Sequence, residues 1–222
     1  MSEVILDTIT GKSTATTITI GSTPVVSASA NSMTIRGEGS NQTSIQQGLA
    51  KAWVRFNGQG TVGYEIINDC KKNNLIPDLV LCCCGGGGLI AGVSTAIKAE
   101  YPNVPVYAVE PEDYNDTYLS LRDNKITEVD ISKKSICDSL LASKPGELTF
   151  SINKENLSGS LLVSDLEALK AMKYAFQYFK IILEPGGAVA LASALFNKID
   201  IKNKTVVIIA SGGNVDPEVF EK

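Results

Sequence analysis

The sequence predicts an α/β fold in which a parallel sheet is flanked by helices and preceded by a β-rich N-terminal appendage. Short apolar runs such as "PDLVLCCC" and "TVVIIA" lack polar alternation, which is typical of strands buried on both faces. Segments with apolar residues at helical spacing alternate with these runs, as expected for a parallel sheet. The N-terminal part differs sharply in composition from the rest, which predicts two domains, residues 1–57 and residues 58–222.

The overall composition restricts the functional class. The 222 residues are enough for one sizeable core, and the net charge of −4 argues against nucleic acid as the main partner. No apolar run is long enough to span a bilayer, and no signal peptide is recognisable. The five cysteines, an odd number, then indicate reduced thiols and a cytoplasmic protein. The absence of histidine excludes Ser-His and Cys-His nucleophile pairs and histidine-ligated metals.

The N-terminal domain is a Ser/Thr-rich segment. Residues 1–57 contain 9 Thr and 8 Ser, whereas residues 58–222 contain 18 Ser and Thr together. Alternating runs such as "TTITI", punctuated by Gly and Pro, predict β-hairpins or an extended β-ribbon. A helix is predicted over residues 41–56, where Ile45, Leu49, Trp53 and Phe56 recur at helical spacing. Residues 1–40 carry few large apolar groups, so we expect them to pack poorly on the rest.

The C-terminal domain alternates helices and strands. The segments that predict helices are "GTVGYEIINDCKKN", "LIAGVSTAIKAE", "SDLEALKAMKYAFQYF" and "PGGAVALASALFN". Ser164 and Glu167 are placed as a capping box at the start of the third. Strands are predicted over residues 77–84, 104–110 and 205–211, and we expect them to be neighbours in one parallel sheet because the connections are short.

The run "VLCCCGGGGLIAG" raises the question of a metal site, a redox centre or an anion-binding loop. Adjacent strand residues point to opposite faces, so Cys82, Cys83 and Cys84 cannot converge on one metal, and we interpret them as small apolar strand residues. The four glycines that follow lie between a strand and a helix, where α/β sheets bind ligands. They form either a tight turn or an anion cradle of backbone N–H groups; four glycines are more than a turn needs.

Together with five further segments, this run carries a family resemblance. "GQGTVGYEI", "GGGGLIAG", "VEPEDYND", "KPGELTF", "EPGGAVALAS" and "SGGNVDPE" follow one another in family order. Residues 58–222 therefore resemble the C-terminal half of the threonine/serine dehydratases, which are fold-type-II enzymes dependent on pyridoxal 5′-phosphate (PLP) and related to serine racemase and tryptophan synthase β. The resemblance implies a small hydroxy amino acid, threonine or serine, as substrate, with loss of water to give a 2-oxo acid and ammonia.

The same resemblance implies a set of cofactor-binding residues, namely Gly85, Gly86, Gly87, Gly88, Leu89, Glu184, Ser211 and Gly212. The glycines and the Leu89 amide would bind the phosphate. Ser211 would offer its hydroxyl to the pyridine nitrogen, although "ASGGN" is also compatible with a simple turn. Glu184 would lie near the ring edge, or would be a solvated carboxylate at a helix N-terminus.

A cation site is implied in the segment "VEPEDYND". Glu110 and Asp116, with the Tyr114 carbonyl between them, match a divalent-cation site in the serine racemase branch. Two carboxylates and a carbonyl suit a hard ion such as Mg²⁺ or Ca²⁺. The alternative is a polar surface loop.

The sequence contains no match to the segment that carries the family's catalytic Schiff-base lysine. Lys12 in "TGKST" and Lys51 in "LAKAW" have different neighbours, and the family's Ser-x-Gly-Asn-His loop is also absent. No catalytic residue is therefore assigned, and we expect little or no turnover by this chain alone, since loss of such a residue costs many orders of magnitude in rate.

Residues 1–57 resemble a different class of protein. "GKSTATTITI", "TIRGEG" and "SIQQGLAKAWVRFNG" are similar to repetitive β-proteins of phage structural or tail-fibre type. We interpret the chain as a chimera of this segment and a truncated tryptophan synthase β-like domain. The alternative function is a phage-type structural or attachment protein, in which the N-terminal segment assembles into homo-oligomers. A non-catalytic PLP binder, or a half that complements a separate chain, is a third hypothesis.

Overall fold

The computed structural model describes residues 60–221 and, before them, residues 17–20, 23–27, 32–36 and 42–44. The chain divides into two compact units, Met1–Trp53 and Val54–Lys222. In the first unit, four strands pair antiparallel in chain order: β1 (Thr17–Ile20), β2 (Thr23–Ser27), β3 (Ser32–Arg36) and β4 (Gln42–Ser44). These strands agree with the β-hairpins that the alternating Thr and Ile residues predict.

The helix predicted over residues 41–56 begins instead with a strand. Gln42, Thr43 and Ser44 pair with β3, so backbone hydrogen bonding between strands prevails there over helical spacing. The rest of that predicted helix, with Ile45, Leu49, Trp53 and Phe56, lies outside the described residues. The expected poor packing of residues 1–40 also depends on residues outside the described part of the chain.

The second unit contains a four-stranded parallel sheet. Its strands are β5 (Leu79–Cys83), β6 (Val106–Pro111), β7 (Gly159–Val163) and β8 (Val206–Ile208), and their order across the sheet is β7-β6-β5-β8. β5 pairs with both β6 and β8, which confirms that the three predicted strands are neighbours. β7 was not predicted from the sequence, because its residues are only half-buried and the run "GSLLV" is short.

Seven helices accompany the strands in residues 60–221. They are α1 (Gly60–Lys72), α2 (Gly88–Glu100), α3 (Asp116–Asp123), α4 (Glu147–Asn156), α5 (Asp165–Tyr174), α6 (Pro185–Leu195) and α7 (Pro217–Phe220). The helix predicted at "SDLEALKAMKYAFQYF" changes to a π-helical turn over Ala175–Phe179. None of the helices in the described residues is long and apolar enough to cross a membrane.

The two faces of the sheet bury different helices. On one face, Val80 and Cys82 of β5 and Cys84 directly after it pack with apolar residues of α1 and α2. On the other face Leu79, Leu81 and Cys83 pack with α5 and with α6, which is buried along nearly its whole length. Successive strand residues point to opposite faces, so the three cysteines are divided between two cores. The layering therefore confirms that they do not converge on one metal.

Candidate functional site

A cavity of about 280 Å³ lies at the carboxyl ends of β5 and β8. It is formed by the loop after β5, a short 3-10 turn, the start of α6 and the loop after β8. Parallel strands bring their following loops to one edge of a sheet, which explains why segments distant in sequence meet here. The described residues that line it are Cys83, Cys84, Gly85, Gly86, Gly87, Gly88, Leu89, Ser139, Leu140, Glu184 and Ser211.

The glycine loop leads directly from β5 into α2. Gly87 precedes the helix with a φ of 88°, in the left-handed region that favours glycine. Within residues 60–221, the N–H groups of Gly85, Gly86 and Gly87 donate to no protein acceptor. α2 is 13 residues long and begins at Gly88, so the positive end of its dipole lies beside these N–H groups. The free N–H groups and the helix N-terminus together form a site for an anion.

Two side chains from α4, neither of which is among the described residues that line the cavity, hold this loop. The Thr149 hydroxyl donates to the Gly86 carbonyl at 2.7 Å, and the Asn153 amide donates to the Gly87 carbonyl at 3.3 Å. Sequence analysis did not identify these residues, because α4 itself was not predicted. The segment "KPGELTF" contained Thr149, but a threonine in a helix carries no signal for such a contact.

The Ser211 hydroxyl, which lines the same cavity, lies 3.1 Å from the Cys83 thiol sulfur. The neighbouring Cys82 thiol, which donates to the Cys83 carbonyl at 3.4 Å, and the Ser211 hydroxyl lower the pKa of the Cys83 thiol, against the effect of burial. Sequence analysis interpreted Cys83 as a small apolar strand residue. The structure adds a polar contact to this apolar packing role. The only indication of it in the sequence was that Cys83 lies two residues before Gly85.

Glu184 is the N-cap residue of α6, but its side chain makes no capping hydrogen bond to the helix. Its carboxylate accepts a hydrogen bond from the Asn214 N–H at 3.2 Å, and its own N–H donates to the Gly212 carbonyl at 3.0 Å. A Cβ atom added at Gly187 would lie 2.5 Å from the Gly212 carbonyl oxygen. Glu184 lines the cavity, whereas Gly212 is not among the described residues that do so; Gly212 packs against Glu184 and Gly187.

The three residues predicted to bind a cation, Glu110, Tyr114 and Asp116, are buried, although Glu112 in the same segment is exposed. Glu110 and Asp116 are both 0% exposed. Glu110 accepts hydrogen bonds from the N–H groups of Thr117 and Tyr118, both at 2.8 Å, and from the Ser160 hydroxyl at 2.5 Å. Both carboxylate oxygens of Asp116 lack a hydrogen-bond partner. Tyr114 is 4% exposed, and its hydroxyl donates to the Lys133 carbonyl at 2.7 Å.

Burial controls the charge of these two carboxyl groups. It raises the pKa of Glu110 to about 7 and, with a further contribution from the charge of Glu110, the pKa of Asp116 to about 8. Removal from water disfavours the charged form of both groups, and at Glu110 its hydrogen bonds oppose this effect only in part. Among the described residues there is no cluster of three or more His, Cys, Asp and Glu side chains. A cation here would therefore need a backbone carbonyl as well as the two carboxylates.

Comparison with known proteins places the chain in a family. The model of the family described as pyridoxal-phosphate dependent enzyme matches residues 14–212. This chain belongs to the pyridoxal-phosphate dependent enzyme family. The match begins inside the Ser/Thr-rich segment, further toward the N-terminus than the resemblance found in residues 58–222. PLP is the cofactor of this family.

Curated relatives share the C-terminal unit. L-threonine ammonia-lyase of Thermotoga maritima is 38% identical over 167 residues, which cover 74% of this chain and 40% of that protein. Serine racemase of Schizosaccharomyces pombe is 40% identical over 163 residues, covering 73% and 49%. This family member thus spans no more than half the length of these two relatives.

Solved structures of the family have the same fold. The crystal structure of threonine deaminase from T.th. matches with a TM-score of 0.68 and 36% identity, covering 72% of this chain and 58% of that one. Serine racemase from Dictyostelium discoideum matches with a TM-score of 0.64 and 40% identity, covering 72% and 50%. The parallel sheet flanked by helices is therefore the fold-type-II arrangement that the sequence predicted.

The residues of the cavity fit a phosphorylated pyridine. The loop presents unpaired N–H groups, which suit a phosphate, and Ser211, which lines the same cavity, presents a neutral hydroxyl. None of the described residues that line the cavity is a lysine. The site thus holds the groups for binding PLP, while a group that links to its aldehyde is not among them.

Proposed function

We propose that this chain binds PLP in the cavity at the ends of β5 and β8 and carries part of the site of an ammonia-lyase or racemase for threonine or serine. The supporting observation is the convergence of the glycine loop, Glu184 and Ser211 on one cavity. The substrate class is inferred from the names of the relatives, an L-threonine ammonia-lyase and a serine racemase. In the ammonia-lyase reaction the substrate loses its Cα proton and Cβ hydroxyl as water, and water then hydrolyses the resulting enamine to a 2-oxo acid and ammonia.

Each cavity residue has a distinct role in this proposal. The N–H groups of Gly85–Gly88 and Leu89 bind the phosphate, assisted by the positive end of α2. Ser211 would donate a hydrogen bond to the pyridine nitrogen and keep its proton, so the ring would stay unprotonated. Glu184 would lie near the ring edge, where Gly212 packs against it. When bound, PLP supplies the electron sink for the electron pair that remains when the substrate Cα loses its proton.

Low turnover by this chain alone is part of the proposal. The reaction needs a base at the substrate Cα, and no described residue lining the cavity is a lysine or, given the sequence, a histidine. Glu184 already accepts a hydrogen bond from Asn214. Without a positioned base, the proton-transfer step loses most of its rate enhancement.

We further propose that Glu110, Asp116 and the Tyr114 carbonyl bind a divalent cation, Mg²⁺ or Ca²⁺. The supporting observation is the pair of buried Asp116 oxygens without a hydrogen-bond partner. An uncompensated buried carboxylate is costly, and a hard cation would satisfy both oxygens at once. Oxygen ligands are the type that both ions prefer.

Ligand binding tests the cofactor site. Pyridoxine 5′-phosphate, which lacks the aldehyde and so does not react with surface lysines, is titrated into wild type and into Ser211→Ala by following ligand fluorescence. We expect Ser211→Ala to weaken binding about tenfold, as for loss of one hydrogen bond to a ring nitrogen. The matched control is Ser132→Ala, whose exposed hydroxyl donates to Asp130. Equal affinity in wild type and both variants would contradict the assignment of Ser211.

Turnover tests the catalytic part. Purified chain with PLP and L-threonine is expected to release 2-oxobutanoate no faster than free PLP does, and L-serine is expected to release pyruvate at the free-cofactor rate. Product is measured by derivatisation and chromatography. Turnover above the free-cofactor rate would contradict the expectation of an inactive chain, while leaving the binding result to test the cofactor site separately.

A further inference from the structure

The carbonyl groups of the glycine loop are held by α4, through residues that are not among those described as lining the cavity. Thr149 and Asn153 are one helical turn apart, so both side chains project from the same face of α4. They are buried, with exposed fractions of 4% and 1%. Both contact the loop, and neither is among the described residues that line the cavity.

The contacts are made to consecutive carbonyl groups. The Thr149 hydroxyl donates to Gly86 at 2.7 Å and also lies 3.0 Å from the Gly146 carbonyl, so the shorter contact is to the loop. The Gly146 N–H donates to the same Gly86 carbonyl at 3.3 Å. The Asn153 amide donates to the Gly87 carbonyl at 3.3 Å.

Peptide planarity converts these contacts into a constraint on the N–H groups. In a trans peptide, the carbonyl of one residue and the N–H of the next point in opposite directions. When Thr149 holds the Gly86 carbonyl toward α4, the Gly87 N–H must point away from α4. When Asn153 holds the Gly87 carbonyl in the same way, the Gly88 N–H must also point away from α4; Gly87 and Gly88 both line the cavity.

The packing around Gly87 leaves little freedom for another arrangement. A Cβ atom at Gly87 would lie 2.8 Å from the Asn153 amide nitrogen and 3.0 Å from the Thr149 hydroxyl oxygen. The Asn153 carbonyl oxygen is buried without a hydrogen-bond partner. Rotating that amide by 180° would place the Asn153 carbonyl oxygen against the Gly87 carbonyl oxygen, and both are acceptors. The observed orientation is therefore the one in which the amide donates to Gly87. An unsatisfied buried oxygen costs stability, which indicates that the contact to Gly87 is retained despite that cost.

We propose that Thr149 and Asn153 are positioning residues, which orient the N–H groups of Gly87 and Gly88 toward the phosphate of the cofactor. This inference rests on the proposed function, in which the glycine loop binds that phosphate. The two side chains act through the loop and do not touch the ligand. Their effect is therefore specific to the phosphate and leaves the interactions of the pyridine ring unchanged.

The experiment compares two ligands that differ only in the phosphate. Dissociation constants of pyridoxine 5′-phosphate and of pyridoxine are measured by fluorescence titration for wild type, Thr149→Val, Thr149→Ser and Asn153→Leu. Thr149→Val keeps the shape and removes the donor, so we expect binding of pyridoxine 5′-phosphate to weaken about tenfold while binding of pyridoxine stays unchanged. Thr149→Ser retains the hydroxyl and is expected to restore wild-type affinity for the phosphorylated ligand.

The matched control is Ser151→Ala on the same helix, whose exposed hydroxyl donates to the Leu148 carbonyl and not to the loop. It is expected to bind both ligands as wild type does. Asn153→Leu tests the same inference at the second contact if Thr149→Val does not fold, as judged by circular dichroism. For a variant that folds, the amide shifts of ¹⁵N-glycine on addition of inorganic phosphate give a readout independent of the ring.

The outcomes separate the two proposals. If wild type binds pyridoxine 5′-phosphate no better than pyridoxine, the proposed phosphate site itself is wrong. If wild type prefers the phosphorylated ligand and Thr149→Val and Asn153→Leu keep that preference, the positioning role is wrong. An equal loss of affinity for both ligands would also overturn it, because that result indicates a general structural effect. If neither Thr149→Val nor Asn153→Leu folds, Thr149→Ala is measured instead. A preference for pyridoxine 5′-phosphate over pyridoxine that is as large in Thr149→Ala as in wild type would also overturn the positioning role.

Discussion

Gly87 shows how tertiary packing constrains one residue of the glycine loop. Its left-handed backbone and the short distance to α4 both require glycine. Gly86, its neighbour, has no atom within 4 Å of an added Cβ. Two glycines that are equivalent in the sequence therefore have different tolerances, and only the packing of α4 distinguishes them.

Substitution of Gly87 tests this difference. Gly87→Ala is expected to lower the free energy of unfolding by about 1–3 kcal/mol, because the left-handed conformation is strained for alanine and the new methyl group meets α4. Gly86→Ala is the control for stability and is expected to change it by less than about 1 kcal/mol. Urea unfolding followed by circular dichroism measures both. Equal losses in the two variants would contradict the assigned role of Gly87.

Asp116 predicts a dependence of stability on pH. Burial raises its pKa to about 8 and that of Glu110 to about 7, whereas carboxyl groups in unfolded chains titrate near pH 4. Between about pH 4 and pH 8 the folded chain therefore binds more protons than the unfolded chain. The free energy of unfolding should fall as pH rises through this window when divalent cations are removed with EDTA. Asp116→Asn should flatten the slope, and Asp123→Asn, at an exposed position on α3, should not.

A divalent cation should counteract this loss of stability. At pH 8, where Asp116 is most readily ionised, millimolar Mg²⁺ or Ca²⁺ is expected to raise the melting temperature of wild type, because ligands that bind only the folded state stabilise it. Asp116→Asn lacks one of the two carboxylates and should gain much less. Differential scanning calorimetry measures the shift. Equal gains in wild type and Asp116→Asn would show that the cation binds elsewhere.

At the scale of elements, α5 is the helix whose start the sequence specifies most directly. Ser164 accepts a hydrogen bond from the Glu167 N–H at 3.3 Å, and the Glu167 carboxylate accepts one from the Ser164 N–H at 2.8 Å. The predicted capping box is therefore confirmed. The end of the helix differs from the prediction, since a π-helical turn over Ala175–Phe179 follows Tyr174.

Loss of this cap should destabilise the unit. Ser164→Ala is expected to cost about 1 kcal/mol in the free energy of unfolding, because one N–H of the first turn loses its acceptor. Ser164→Asp retains an acceptor and should cost less than Ser164→Ala. Urea unfolding compares the two variants with wild type. A negligible effect of Ser164→Ala would contradict a stabilising role for the cap.

At the scale of the whole molecule, the chemistry depends on a lysine that links to the cofactor aldehyde. Borohydride reduction in the presence of PLP is expected to give no stoichiometric pyridoxyl-lysine at a single position, because no described cavity residue is a lysine. Peptide mass spectrometry measures the labelling. A single fully labelled lysine, at Lys51 for example, with turnover that disappears on its substitution by alanine, would identify an active enzyme instead.

The relation between the two parts of the chain stays a prediction. We propose that residues 1–57 and 58–222 are separate domains of different origin, and that a phage-type attachment role is the alternative function. The family match that begins at residue 14 covers most of the first segment and favours a common origin for at least part of it. Size-exclusion chromatography with light scattering would test the assembly into oligomers that the attachment hypothesis requires.

Local signals in the sequence are enough to specify the layered α/β fold, the central strands and the cofactor loop. Continuous apolar runs, helical spacing and the position of four glycines after a strand are recognisable without knowing which elements meet. The capping box of Ser164 and Glu167 belongs to the same group. So does the division of the three cysteines between two faces of the sheet, since it follows from the strand period alone.

The groups that surround the loop, and the depth at which the carboxylates are buried, depend on tertiary packing. Thr149 and Asn153 lie more than sixty positions from the glycines they contact, as the separations of 63 and 66 residues show. Glu110 and Asp116 look like residues of a polar loop in the sequence, yet both are fully buried, and Glu110 accepts hydrogen bonds from α3 and β7. Burial and long-range hydrogen bonds depend on how the elements pack, and a single sequence contains no local pattern that specifies them.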